Sequence, residues 1–283
     1  MKFSNLAPLL LGICFFSSAS AQRYDYVQKG EFGLTVGAAH YFGDLNNRVA
    51  INRPKPAVGI YFLKQFGNYI GLRVSAHYAE LGYSDTYSKN DYQRLRNLSF
   101  NTSMWEVAVQ GQFNFFKFVP NEAEHLFTPF ITIGAGVFTY DPYAYLDGQK
   151  QYLRRLGTEG QNIGYNGRKP YNTMAFCFPV GVGIKYNISE RLNFLFEITQ
   201  RFTTTDYLDD VSTTYVGKFR FSNLPSGDPS PAKLLQDRSY EVIPGYEFTE
   251  GQQRGWSKQK DQYIIAEVGL SLNIGNTRCP STR

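Results

Sequence analysis

Past residue 21 the chain has no apolar run near the roughly 20 residues that a membrane-crossing helix needs. A helical membrane protein is therefore excluded. Cysteine, methionine and tryptophan are scarce, at three, three and two of 283 residues, so no disulfide scaffold is in prospect. There are only three histidines, and zinc-ligand spacing, a glycine-rich phosphate loop and the Gly-x-Ser-x-Gly nucleophile turn are all missing. His40, His77 and His125 are too scattered to share one site, although His40 could meet Asp44 at a barrel rim; catalysis needs nucleophile, base and orienting group in contact. No enzyme is expected. The formal net charge is +5, and loss of Lys2 on processing leaves 5 − 1 = +4, too mild to argue for a nucleic-acid partner.

What remains is unusual for a soluble chain. Aromatic residues make up 16% of the sequence, yet the mean hydropathy is −0.35. Strands that alternate an apolar outer face with a polar inner one give this combination. The N-terminus supplies the matching address. Lys2, an apolar stretch over 6–16 and Ala19-Ser20-Ala21 form a secretory signal peptide, 1–21, leaving a mature domain 22–283. Cleavage removes Cys14. Cys177 and Cys279, placed toward opposite ends of a barrel, are too far apart for the roughly 7 Å that a disulfide spans.

Eight alternating segments are predicted, at 31–41, 57–65, 69–83, 100–116, 127–140, 174–187, 192–202 and 262–274. Connections after the second, fourth and sixth are short, with Gly67-Asn68 and Ser189-Glu190 as tight turns and a moderate link at Pro120. Those after the first, third, fifth and seventh are longer, ending in a loop over about 203–261. Sorting by parity predicts an eight-stranded antiparallel transmembrane β-barrel of the outer-membrane type. Its short turns, both termini and the tail 275–283 would be periplasmic, and its long loops extracellular. Tyr69, Tyr83, Tyr140, Tyr171 and Tyr186 are expected in the aromatic girdles at the lipid interfaces. In the fifth segment, Gly134 and Gly136 mark close packing or a bend.

The inward parity carries Arg73, Lys185 and Arg201 against Glu106, Glu197 and Glu267. Eight strands enclose a space that side chains fill, and isolated buried charges are costly, so these six are expected to pair into a plugged interior. Asp206, Asp209 and Asp210 bring oxygens that Ca²⁺ favours. The EF-hand spacing is missing, however, and aspartate also caps turns, so no metal or cofactor is expected.

Two loop segments are more specific: His40-Tyr41-Phe42-Gly43-Asp44-Leu45, and Thr205-Asp206-Tyr207-Leu208-Asp209-Asp210-Val211-Ser212-Thr213-Thr214-Tyr215. With Asp237-Arg238-Ser239 and Gln253-Arg254-Gly255 downstream, the chain resembles the outer-membrane barrel family that includes PorG of the type IX secretion system. The resemblance singles out Tyr41, Gly43, Asp44, Asp206, Tyr207, Asp209 and Asp210. It implies a non-enzymatic barrel, seated in outer-membrane lipid, that associates with the periplasmic PorK–PorN ring. The alternative is a general small barrel for adhesion or membrane integrity.

Overall fold

A computed structural model describes residues 30–48 and 50–274. The signal segment, Cys14, the tail 275–283 and Cys279 lie outside them. Ten strands follow in order: β1 (Gly30–Phe42), β2 (Lys55–Phe66), β3 (Ile70–Ser84), β4 (Ser99–Asn114), β5 (Phe127–Thr139), β6 (Tyr143–Leu146), β7 (Gln149–Tyr152), β8 (Met174–Asn187), β9 (Leu192–Thr203) and β10 (Gln262–Ile274). Strands β1 to β5 and β8 to β10 coincide with the eight predicted segments to within about two residues. The β6–β7 hairpin was not foreseen. Four-residue strands carry too little alternation to register, and Asp147-Gly148 at its tip, both at positive φ, is its one local signal.

The eight long strands close into a ring. Each pairs antiparallel with its neighbours in the order β1-β2-β3-β4-β5-β8-β9-β10, and β10 returns to β1 from Gly30↔Ile274 to Phe42↔Gln262. Period-two alternation then assigns every side chain to the lumen or the exterior. Outside stand Leu34, Ile60, Val74, Trp105, Val109, Ile133, Phe176, Val182 and Val268, with Trp105 and Ile133 about two thirds exposed at 64% and 66%. Soluble monomers rarely expose a contiguous apolar patch beyond roughly 300–600 Å². Here the apolar face girdles the whole ring, and a closed ring leaves no unpaired backbone edge toward lipid. The fold is a transmembrane β-barrel of the outer-membrane type.

Connections are tight after β2 (67–69) and β8 (188–191) and long after β3, β5 and β9; the one after β4 (115–126) equals the one after β1 (43–54), so the expected sorting by parity is corrected for that pair. Gly67 takes φ +84° in the first short turn, a conformation that a side chain would strain. Gly134 packs in β5 where a Cβ would meet the Val109 carbonyl and Gln110 Cα of β4, so close packing explains it. Tyr69 and Tyr186 face outward as expected of a girdle. Tyr83 and Tyr140 are buried on the lumen side, and the Tyr171 ring stacks on Tyr207 inside the long loops. The girdle assignment is corrected for these three: parity at the strand ends turns Tyr83 and Tyr140 inward, and Tyr171 belongs to a loop that packs into the cap.

Candidate functional site

The lumen is filled in tiers. Nearest the short turns, the Lys185 ammonium donates to Glu31 at 2.7 Å, and the Ser271 hydroxyl donates to the same carboxylate. In the middle, the Arg73 guanidinium pairs with Glu197 and donates to Gln112. Above it the Arg201 guanidinium donates to Glu106, the Tyr263 hydroxyl donates to the same carboxylate at 2.5 Å, and the His77 ring lies 3.5 Å from Glu106 and 3.4 Å from Glu267. All six predicted interior charges stand in this lumen, in two of the three tiers as direct acid–base partners. Glu267 is met through His77, and Lys185 through Glu31. Neither Glu31 nor His77 was in the predicted network. Inward parity was the available signal for both.

Above the lumen, Tyr41, Phe100 and Phe138 form an aromatic layer, with Tyr41 edge-on to Phe100 at 4.7 Å. The four long connections then fold over it as one cap. Arg96 grips Asp85 through two bonds of 2.7 Å and donates to the carbonyls of Asp44 and Arg254. Arg254 in turn donates to Glu159 at 3.0 Å and to the carbonyls of Asp210 and Gln236. Glu159 also accepts from the Ser212 and Thr213 amides and the Thr213 hydroxyl. Asp44 accepts the Trp256 amide at 2.9 Å. Each long connection thus gives a charged group to one lattice of buried, partnered charges.

The residues singled out by resemblance converge beneath this lattice. The Tyr41 hydroxyl donates to Asp209 at 2.5 Å and lies 3.1 Å from Asp261. It has a single proton, so the second contact is a hydrogen bond only while Asp261 keeps its own. Burial pushes the Asp209 and Asp261 carboxyls well above the usual range, with repulsion from Asp261 adding to Asp209 and repulsion from Asp206 adding to Asp261. Burial also raises Asp44 to about 6, Asp206 to about 7 and Asp210 to about 6. Gly43 sits where a Cβ would fall on Asp261 Oδ1 and the Tyr41 hydroxyl, which is why glycine stands there. Asp206 accepts from the Ser212 hydroxyl, Tyr207 stacks on Tyr171 at 4.5 Å, and Asp210 accepts from the Thr158 and Tyr171 hydroxyls.

His40 does not meet Asp44. Its Nδ1 donates to the Tyr41 carbonyl, and its Nε2 accepts the Asn52 and Arg53 amides. His125 stands in the short-turn connection beside Glu122, remote from both. Cys177 is a buried free thiol. No group of three His, Cys, Asp or Glu among the described residues has the arrangement of a metal site. Glu159, Asp85 and Arg96 went unnoticed in the sequence; each acts across loops, and spacing along the chain carries no trace of that.

A family model described as a domain of unknown function, DUF6089, matches residues 6–230. No match was found among curated proteins. Among solved structures the chain is similar to the Neisserial surface protein A, at 6% identity and TM-score 0.43, over 87% of this chain and 97% of that one. It is similar to Ail, the attachment invasion locus protein of Yersinia pestis, at 9% identity and TM-score 0.39, over 87% and 99%. It is also similar to OprG of Pseudomonas aeruginosa, at 10% identity and TM-score 0.37, over 88% and 98%.

Proposed function

The chain belongs to the DUF6089 family, and we propose that it is a non-enzymatic outer-membrane component of the type IX secretion machinery, anchoring the periplasmic PorK–PorN ring to the membrane. The single observation that carries a structural role is the double closure. A lumen tiered with paired charges lies beneath a cap bolted by Arg96 and Arg254, and this suits an anchor better than a conduit. The type IX assignment rests on the resemblance of the 40–45 and 205–215 segments.

In this reading the barrel sits in outer-membrane lipid with both termini and the short turns in the periplasm. The 115–126 connection is the largest short-side feature and the natural docking surface. A tagged copy recovered in mild detergent should bring down the ring proteins, and replacing 120–126 should weaken that recovery. Recovery of the barrel alone, with cargo export intact in a deletion strain, defeats the assignment. Protease added to intact cells should clip the long loops only, and cleavage confined to the short turns would reverse the orientation.

A general adhesion or membrane-integrity barrel is the second reading. Phe219, 89% exposed, and the half-exposed Trp256 both project from the cap and favour it. Deletion would then leave secretion unchanged while altering attachment or envelope resistance.

A further inference from the structure

The barrel wall is not level at the long-loop end. The β2–β3 ladder stops at Ala57↔Ala79, whereas β3–β4 continues to Ser84↔Ser99 and β1–β10 to Phe42↔Gln262. Where β2 ends early, a cavity of about 470 Å³ opens in the side of the rim. Its lining includes two cations, Arg53 and Lys55, and the polar side chains of Ser84, Ser99 and Asn101. Neither cation has an acidic partner among the described residues. That sets them apart from the lumen and the cap lattice, where the buried arginines and Lys185 are all paired with acids. Arg53 is also held in place. Its guanidinium lies 4.2 Å over the Tyr87 ring and its amide is fixed on His40 Nε2. Glu80, the one acid that β3 carries, accepts from the Tyr78 hydroxyl.

Height identifies the occupant. The lipid-facing run of β2 begins at Val58, three residues from Lys55, which is about 10 Å along a strand tilted by roughly 40°. The notch therefore lies just above the edge of the hydrocarbon, in the polar headgroup zone. Ser99 and Asn101 share parity with the lipid-facing Trp105, so the notch communicates with the barrel's exterior. Two unpaired cations there, one pre-oriented on an aromatic ring, suit a doubly charged oxyanion that takes charge-assisted hydrogen bonds. We propose that this notch binds the phosphate group of a phosphorylated lipid headgroup in the leaflet at the long-loop end. The leaflet's identity rests on the orientation proposed above; the binding chemistry does not.

The test uses the full barrel in neutral detergent, titrated with bisphosphorylated lipid A, with the same lipid after dephosphorylation, and with inorganic phosphate. Bound species are followed by native mass spectrometry. Phosphorylated lipid should bind, the dephosphorylated lipid should bind at least about ten-fold more weakly, and Arg53→Gln with Lys55→Gln should produce a similar loss. Each single variant should give a partial loss, which covers the case in which the double variant folds poorly. Competition by millimolar phosphate would make free phosphate a second source for the same site, whereas retention of lipid against it would make the membrane the source. Equal binding of both lipids overturns the proposal. So does an equal loss from Lys258→Gln with Lys260→Gln, which remove the same charge elsewhere on the cap. Because the barrel is in solution, failure here leaves the orientation untouched, and reversed orientation leaves this result standing.

Discussion

A single hydroxyl holds the floor of the cap. Tyr41→Phe removes the hydroxyl that donates to Asp209 and lies against Asp261, leaving both buried carboxyls without that partner, a loss of about 1–3 kcal/mol. Gly43→Ala pushes a methyl group into the same spot and should cost a similar amount. Both are read as a lower urea midpoint for the loops, and an unchanged midpoint in either would contradict the cluster's role. Three neighbouring carboxyls set a pH dependence. Asp44, Asp206 and Asp210 hold their protons to about 6 or 7 in the folded cap, against an ordinary value of 3.8. Between roughly pH 4 and 7 the folded state binds more protons than the unfolded one, so cap stability falls as pH rises through that window. The loop midpoint should be lower at pH 8 than at pH 5; a higher one would reverse the sign. In the lumen, His77→Ala leaves Glu106 and Glu267 without the ring between them and should cost about 1–3 kcal/mol in heat-modifiability assays.

At the scale of elements, what could be read in advance was whatever repeats with period two. The Phe176, Phe178, Val180, Val182 and Ile184 series of β8 gave its outer face before any pairing was known, because alternation is the physical requirement of a wall between lipid and a filled lumen. The cap obeyed no period. Arg254 meets Glu159 across 95 residues and Arg96 meets the Arg254 carbonyl across 158, and nothing local marks such partners. Resemblance found Tyr41, Gly43 and the aspartates but missed Glu159 and Asp85, whose single-letter context is unremarkable loop. The wall itself can be probed by depth. Val109→Arg, mid-belt on β4, should cost about 2–4 kcal/mol of folding stability in lipid, and Ser103→Arg, above the belt on the same face, at most about 1. Equal costs would mean that the belt is misplaced.

For the whole molecule, the cap and the barrel are held by different forces. Arg254→Ala strips Glu159 and Asp210 of their shared cation, a change worth about 3–5 kcal/mol, and should release all four loops together. The ladders of the ring do not depend on that side chain. Protease should then clip the cap quickly while the barrel band keeps its heat-modified mobility; loss of both would mean that the two cannot be separated. The seam of the ring has a consequence of another kind. Ser271 of β10 meets Glu31 of β1 across 240 residues, and the two strands that carry them are the first and last of the described chain. Closure therefore waits for the final strand to arrive, and until then every intermediate presents two raw ladder edges to its surroundings. Such a chain has a slow, late commitment step during biogenesis. Whatever escorts it to the bilayer must shield those edges for the length of the whole polypeptide, and a truncation just short of β10 should yield an aggregating sheet in place of a smaller barrel.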